Sequence, residues 1–211
     1  MENILQGRIV RLEPLGEQHA EGLAQASKSD DDFYQWSPVP KGLEEAKIYI
    51  QTAKSWKVEG TALPFAIVRV QDDVVIGSTR IFKIERWAWK AGHSRHGREY
   101  PDAGEIGYTW LDRSAIRSGV NTEAKLLLLT MAFEKWQALR ICLHTDVRND
   151  RSRTAIGRLG AKFEGILRSH RLSADGIARD SARFSIIQSE WPEVKERLEN
   201  YLNRFASKKD A

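Results

Sequence analysis

The segment that most limits how this chain can fold runs from Ala103 to Trp136. It opens as AGEIGYTWL, with strand character, crosses a short loop holding Arg117, Ser118 and Gly119, and continues as NTEAKLLLLTMAFEKW. That last run is a helix rich in Leu, Ala, Met and Phe, which marks it as buried on more than one side. A strand feeding such a helix calls for a sheet with a helical layer packed on it. The loop has chemistry of its own. The first turn of a helix leaves backbone N–H groups unpaired, and the helix dipole places partial positive charge there. A loop that turns its own N–H groups inward becomes an anion cradle. Gly119 lets the backbone approach a phosphate closely, Asn121 tolerates left-handed geometry, and Arg117 adds positive charge. Most strand-to-helix turns with one glycine bind nothing, so this loop alone does not decide the matter. Glu123, in the first helical turn, opposes a bound anion unless its side chain points away.

The rest of the chain supports a mixed architecture. Arg8 to Leu12 alternates as a first strand, and Gly16 to Lys28 reads as a short helix. Asp30 to Lys41 reads as a loop with Phe33, Tyr34 and Trp36, and Leu43 to Lys57 as a second helix. Phe65–Val70 and Val74–Lys83 are rich in β-branched residues around Gln71-Asp72-Asp73, a hairpin signal. Ile84 to Gly104 is a long polar and aromatic loop, followed by a strand over Ala103–Leu111. Ile141–Asp146 is a short strand and Arg151–Leu159 a helix, with Gly160 in the left-handed position that commonly ends one. Ala161–Arg168 and Ala182–Ile187 read as strands joined around Asp175-Gly176. Ser189 caps a last helix with Pro192 in its first turn, and Val194, Leu198, Tyr201, Leu202 and Phe205 form its apolar face. No repeat or linker interrupts this order, so residues 1–211 are expected to form one α/β domain on a mixed sheet.

Composition narrows the class of function. Of the 211 residues, 41% are apolar and 29% charged, an ordinary balance for a folded domain. No apolar run approaches the ~20 residues of a membrane helix, and the first residues do not read as a secretion signal, so a cytoplasmic location is expected. Cys142 stands alone, which excludes an internal disulfide framework, and no His or Cys spacing suggests a metal. The net charge of +4 suits an anionic ligand or simple solubility. Between Arg86 and Pro101, Trp87, Trp89, His93, Arg95, His96, Arg98 and Tyr100 interleave rings with cations, as nucleic-acid surfaces do. That loop reads as an RNA-binding surface, a lip over a substrate cleft, or a solvated connector. The acidic Asp30–Asp32 suits a cationic acceptor or a solvated loop. Cys142 reads as a buried strand residue.

A second block, LHTDVRNDRSRTAIGRLGAKFEGIL from Leu143 to Leu167, joins with the helix-start loop to form a specific signature. Here the chain resembles the GCN5-related N-acetyltransferase (GNAT) superfamily, and within it the ribosomal-protein N-terminal acetyltransferases and their relatives. Matching stretches span nearly the whole chain: GRIVRLEPL, VIGSTR, GEIGYTWL, NTEAKLLLL, RNDRSRTAIGRLGAKFEG and DGIARDSARFSIIQSEW. The resemblance implies a mostly antiparallel sheet, flanked by helices and splayed between its fourth and fifth strands, with acetyl-CoA in the cleft. By similarity, backbone groups at Trp110 and Leu111 would pair with the pantetheine arm. The loop Arg117, Ser118, Gly119, Val120, Asn121 and Thr122 would hold the pyrophosphate. Asn149 would reach the pantetheine from the other side, and Ser152 would sit near the sulfur. The family's loop begins with Gln or Arg and ends with Gly or Ala; Ile116 and Asn121 stand at those positions here. Backbone donors do not depend on side chains, so the cradle is expected to persist with Arg117 beside it.

The implied reaction is transfer of acetyl from acetyl-CoA to a primary amine, either a small molecule or a protein N-terminus. The competing reading is a basic RNA-binding module with a vestigial acyl-CoA site. An attacking amine must lose its proton, and a base near the cleft takes it directly or through water. Glu105, at the start of the cleft strand, is the candidate base because desolvation raises carboxylate basicity. His144 on the next strand is the alternative base, or a packed histidine with no catalytic part. Ser152 is the candidate acid for the departing thiolate, or a helix-cap residue beside Asn149. Tyr34 and Trp36 would line the acceptor side with Glu105. Nothing in the sequence separates monomer from homodimer.

Overall fold

A computed structural model describes residues 4–28, 31–173 and 176–207. Eight strands form one sheet: β1 (Leu5–Gln6), β2 (Val10–Pro14), β3 (Ala62–Arg69), β4 (Val74–Glu85), β5 (Ala103–Leu111), β6 (Arg140–Asp146), β7 (Lys162–Leu172) and β8 (Ala178–Ile187). Their spatial order is β1-β2-β3-β4-β5-β6-β8-β7, and every neighbouring pair is antiparallel except β5 with β6. The helices are α1 (Ala20–Ala26), the short α2 (Asp31–Tyr34), α3 (Gly42–Val58), α4 (Val120–Thr130), α5 (Asp150–Leu159) and α6 (Trp191–Ser207).

Strand β3 reads as an almost continuous apolar run because both of its faces are covered. Phe65 and Ile67 join Val10, Leu12, Ile81, Ile106 and Ile141 beneath α4, α5 and α6. Ala66 and Val68 face the other way, with Trp110, toward Leu23 of α1 and Ile50 of α3. α1 and α3 pack on β3 and β4, which leaves the β6-β8-β7 half of that face without a helix. The apolar helix anticipated from Asn121 to Trp136 is real but not uniform: α4 passes into a π-helical turn at Met131–Lys135.

The sheet parts where the resemblance implied. β5 and β6 share only the rungs Ala103↔Arg140, Gly104↔Ile141 and Glu105↔Cys142, then diverge. This gap lies after the fifth strand because Leu5–Gln6 pairs as an additional first strand. Two strand boundaries also differ from the local reading. β7 continues past Arg168 to Leu172 through a bulge at Ser169, whose φ is +46°, and β8 begins at Ala178. The loop expected at Asp30–Lys41 contains α2; Asp30 and the Asp31 and Asp32 side chains lie outside the described residues, as do Asp175 and the Phe205 side chain. Gly160 ends α5 at φ +97°, in the left-handed region its position called for.

Candidate active site

The parted strands, the loop before α4 and the start of α5 surround one cleft. After β5, Asp112 accepts Ser114 N–H at 2.8 Å and starts a short 3-10 turn. Ser118 Oγ donates to Ala115 O. Arg117 then takes φ +59° and Gly119 φ +82°, and this alternation turns successive N–H groups to one side. None of the N–H groups from Arg117 to Thr122 finds an acceptor among the described residues. Glu123 does not intrude. Its carboxylate turns away from the loop and accepts the backbone N–H groups of Arg8, Ile9 and Val10 at 3.0, 2.6 and 2.7 Å. Beside Asn121 and Thr122 lies a groove of about 370 Å³ between α4, α5 and α6, lined by Arg158, Arg197, Tyr201 and Arg204.

On the β5 wall, Asp112 N–H bonds Ile76 O of β4, so the alternation of backbone groups turns those of Leu111 away from β4. Tyr34 Oη donates to Leu111 O at 3.1 Å, and its ring meets Trp110 edge-on. Across the gap, Asn149 caps α5: its Oδ1 accepts Ser152 N–H at 3.0 Å. The cap is therefore Asn149, and the Ser152 hydroxyl has no partner among the described residues. Segment 33–36 spans the cleft mouth. The Phe33 ring lies under Arg113 from one side (5.3 Å) and Arg151 from the other (4.8 Å), and Trp36 lies under Arg148 (4.6 Å).

At the point where the strands separate, a polar cluster occupies the helix-free half of the sheet. Glu105 is 3% exposed. Arg171 Nη2 lies 2.7 Å from its Oε2, and His144 Nδ1 lies 2.9 Å from its Oε1 in a close but angled contact. Burial pushes the Glu105 carboxyl up, but the contacts with His144 and Arg171 outweigh it and hold the group below the ordinary range. Desolvation does act in the expected direction on Glu105, but here its neighbours outweigh it. His170 packs 5.1 Å from His144, and burial with neighbouring cations lowers it to about 4. His144 Nε2 is enclosed without a hydrogen-bond partner.

Several of these residues escaped local reading. His170 and Arg171 lie beyond the bulge at which β7 was expected to have ended. Lys125 is fully enclosed beneath the sheet, donating to Thr109 at 2.6 Å and Thr79 at 3.3 Å, and burial lowers it to about 7. Its only sequence signal was a cation inside an apolar helix. Cys142, expected to be buried, is half-exposed and accepts from Arg140 Nε at 3.1 Å. The long loop after β4 is folded onto its own base. Asp102 accepts Trp87 N–H (2.8 Å), Trp89 Nε1 (3.0 Å) and Arg95 (3.3 Å), while Trp89 stacks on His93 and Arg98 holds Trp136 O. Part of the set of rings and cations that suggested an RNA surface is engaged within this loop and its base, while Trp87 and Tyr100 stay exposed.

A sheet that parts beside a loop of unpartnered backbone N–H groups is the geometry found here, and comparisons with known proteins identify the family. Residues 10–162 match the model of the acetyltransferase (GNAT) domain, and the chain belongs to that family. A GCN5-related N-acetyltransferase from Brucella melitensis superposes with a TM-score of 0.81 at 29% identity, covering 95% of this chain and 85% of the other. RimJ of Mycobacterium smegmatis, solved with CoA-disulfide, shares the fold at a TM-score of 0.75 and 23% identity, over 94% and 91% of the two chains. YdaF of Bacillus subtilis, whose name assigns it provisionally to the ribosomal N-acetyltransferases, is 33% identical over 87 residues. That match covers 41% of this chain and spans less than half of the relative, 46%. Among the described residues no helix is long and apolar enough to cross a membrane.

Proposed function

We propose that this chain is a cytoplasmic N-acetyltransferase that moves acetyl from acetyl-CoA to a primary amine, a small molecule or a protein N-terminus. The observation that carries the reading is the row of unpartnered N–H groups from Arg117 to Thr122 at the mouth of the parted strands. A diphosphate is the ligand such a donor-only row suits. The groove beside it, with Arg158, Arg197 and Arg204, suits the remaining phosphate of coenzyme A. Leu111 and Trp110 line one side of the gap and the free amide nitrogen of Asn149 the other. A coenzyme A derivative accompanies the Mycobacterium smegmatis neighbour of the same fold, which supports coenzyme A as the class of ligand.

In the reaction, the amine nitrogen forms a bond to the thioester carbonyl carbon as the carbon–sulfur bond breaks. Glu105 does not serve as the base alone. Ionised, it favours the His144 tautomer with a proton on Nδ1, which leaves the unpartnered Nε2 to accept the amine proton once the acceptor opens that enclosed position. The Ser152 hydroxyl relays a proton from solvent to the departing thiolate, and the proton taken by His144 returns to solvent as product leaves. Tyr34 and Trp36, spanning the mouth, border the acceptor. Calorimetric titration with acetyl-CoA, followed by thiol release over a panel of amines and N-terminal peptides, tests the proposal. Saturable binding is expected; a flat titration sinks it.

A further inference from the structure

Arg80 sits in the middle of β4 and is 2% exposed. Three rings surround its guanidinium carbon: Tyr108 at 4.3 Å, Tyr49 at 4.9 Å and Trp56 at 5.0 Å. No carboxylate or carbonyl partner reaches it among the described residues, and its Nε is enclosed without any hydrogen bond. A guanidinium keeps its charge in proteins, and cation–π contact offsets only part of the cost of removing that charge from water. An enclosed, unpaired guanidinium therefore lacks an anion.

A second orphan donor lies beside it. Trp110 Nε1 is also enclosed without a partner, and its ring packs 6.4 Å from the same Tyr49 ring. Tyr49 Oη donates to Ser78 Oγ, and neither of the two orphan donors bonds to its oxygen. Both unmatched groups donate only, and the missing ligand group must accept only. The place is close to the chemistry. Phe82, two residues along β4 from Arg80, pairs with Glu105, and its ring lies 5.1 Å from Tyr108. Two strand residues span roughly 7 Å. Tyr49, Trp56 and Tyr108 are each half-buried, so the rim of this aromatic recess reaches the surface.

We propose that Arg80, within the Tyr49–Trp56–Tyr108 recess, binds a carboxylate of the acceptor and so selects amines that carry one close to the reacting nitrogen. This rests on the acetyltransferase reading and names its substrate class. One cation with one neutral donor matches a monoanionic carboxylate, whose planar fork meets a guanidinium in two parallel bonds. The nearby Arg171 is engaged by Glu105. The carboxylate belongs either to a free amino acid or to an acidic residue at the start of a peptide.

Matched acid and amide acceptors test this. The two arms are amino acids against their α-amides, and peptides beginning with Asp or Glu against the same peptides beginning with Asn or Gln. Wild-type protein is expected to show kcat/KM at least tenfold higher for the acid in one arm, and that arm names the source of the carboxylate. Non-reactive N-acetylated forms of each pair, titrated against Trp fluorescence, give the same comparison without turnover. Arg80→Gln is expected to bring the acid-to-amide ratio close to one, and Arg80→Lys to restore part of it, while acetyl-CoA affinity stays within twofold. Equal behaviour of acid and amide in the wild-type protein, in turnover and in binding, overturns the proposal whether or not the variants fold. Absence of acetyl-CoA binding instead removes the underlying acetyltransferase reading, so the two failures are separable.

Discussion

Glu123 and Val10 are joined across the fold by a 2.7 Å bond from the Val10 N–H to the Glu123 carboxylate, which takes Arg8 and Ile9 as well. The one acidic side chain in the first turn of α4 is thereby tied to the start of β2 and turned away from the anion cradle. Replacing Glu123 with Ala leaves the buried Val10 N–H and the half-buried Ile9 N–H unmatched, each costing about 1–3 kcal/mol. A fall in unfolding free energy of about 3 kcal/mol or more is expected by urea denaturation. A surface-like change under 0.5 kcal/mol would show that the clamp does not hold the strand.

The cradle requires left-handed geometry at Gly119, φ +82°, which a β-branched residue adopts only with strain. Gly119→Val is expected to weaken acetyl-CoA binding at least tenfold by calorimetry. Unchanged affinity would mean the cofactor phosphates lie elsewhere.

Arg158→Ala and Arg197→Ala are expected to weaken coenzyme A several-fold while leaving dephospho-coenzyme A within twofold. This follows from the groove beside Asn121 and Thr122, which suits the phosphate that the second ligand lacks. Equal losses for both ligands would detach these arginines from that phosphate.

Glu105→Gln keeps shape and removes the charge that orients His144. A drop in kcat of about 10²-fold with little change in KM for acetyl-CoA is expected from loss of a positioning residue. His144→Gln should fall at least as far. The folded Glu105 carboxyl lies below its ordinary value, so its ion pairs add stability above that value, lost as pH falls through the folded pKa. Acid unfolding midpoints should therefore move upward in Arg171→Met; identical midpoints would contradict the pairing.

Lys125 gives a pH effect of the opposite kind. Burial lowers it from 10.5 to about 7, so between those limits the unfolded chain holds the extra proton and stability rises with pH. From pH 7 to pH 9 its contribution rises by about 2 kcal/mol. Denaturation of wild type and Lys125→Met at both values should show the slope reduced by about that amount in the variant. Parallel curves would mean the ammonium finds solvent.

Much of the fold could be read locally. The buried α4, the β3–β4 hairpin, the Gly160 terminus and the loop at Gly119 all depend on periodicity or backbone geometry within a few residues. The parting of the sheet, implied by the resemblance, is present between β5 and β6. The polar cluster around Glu105 was legible only in part, because Glu105 was visible as a strand-end carboxylate while Arg171 was not.

Local sequence was enough for the longer strands and helices, their order and the left-handed turn at Gly119, since each is coded by neighbours in the chain. Tertiary structure decided the electrostatics. Arg171 reaches Glu105 across 66 residues, Glu123 reaches Val10 across 113, and Arg80 is enclosed by rings from two other elements. Bulges at Lys83, Tyr108 and Ser169 adjust which side chains share a face, and one unpaired residue is enough to reverse that choice. Periodicity cannot report such a reversal, because the charge a group feels is set by register between strands rather than by order along one.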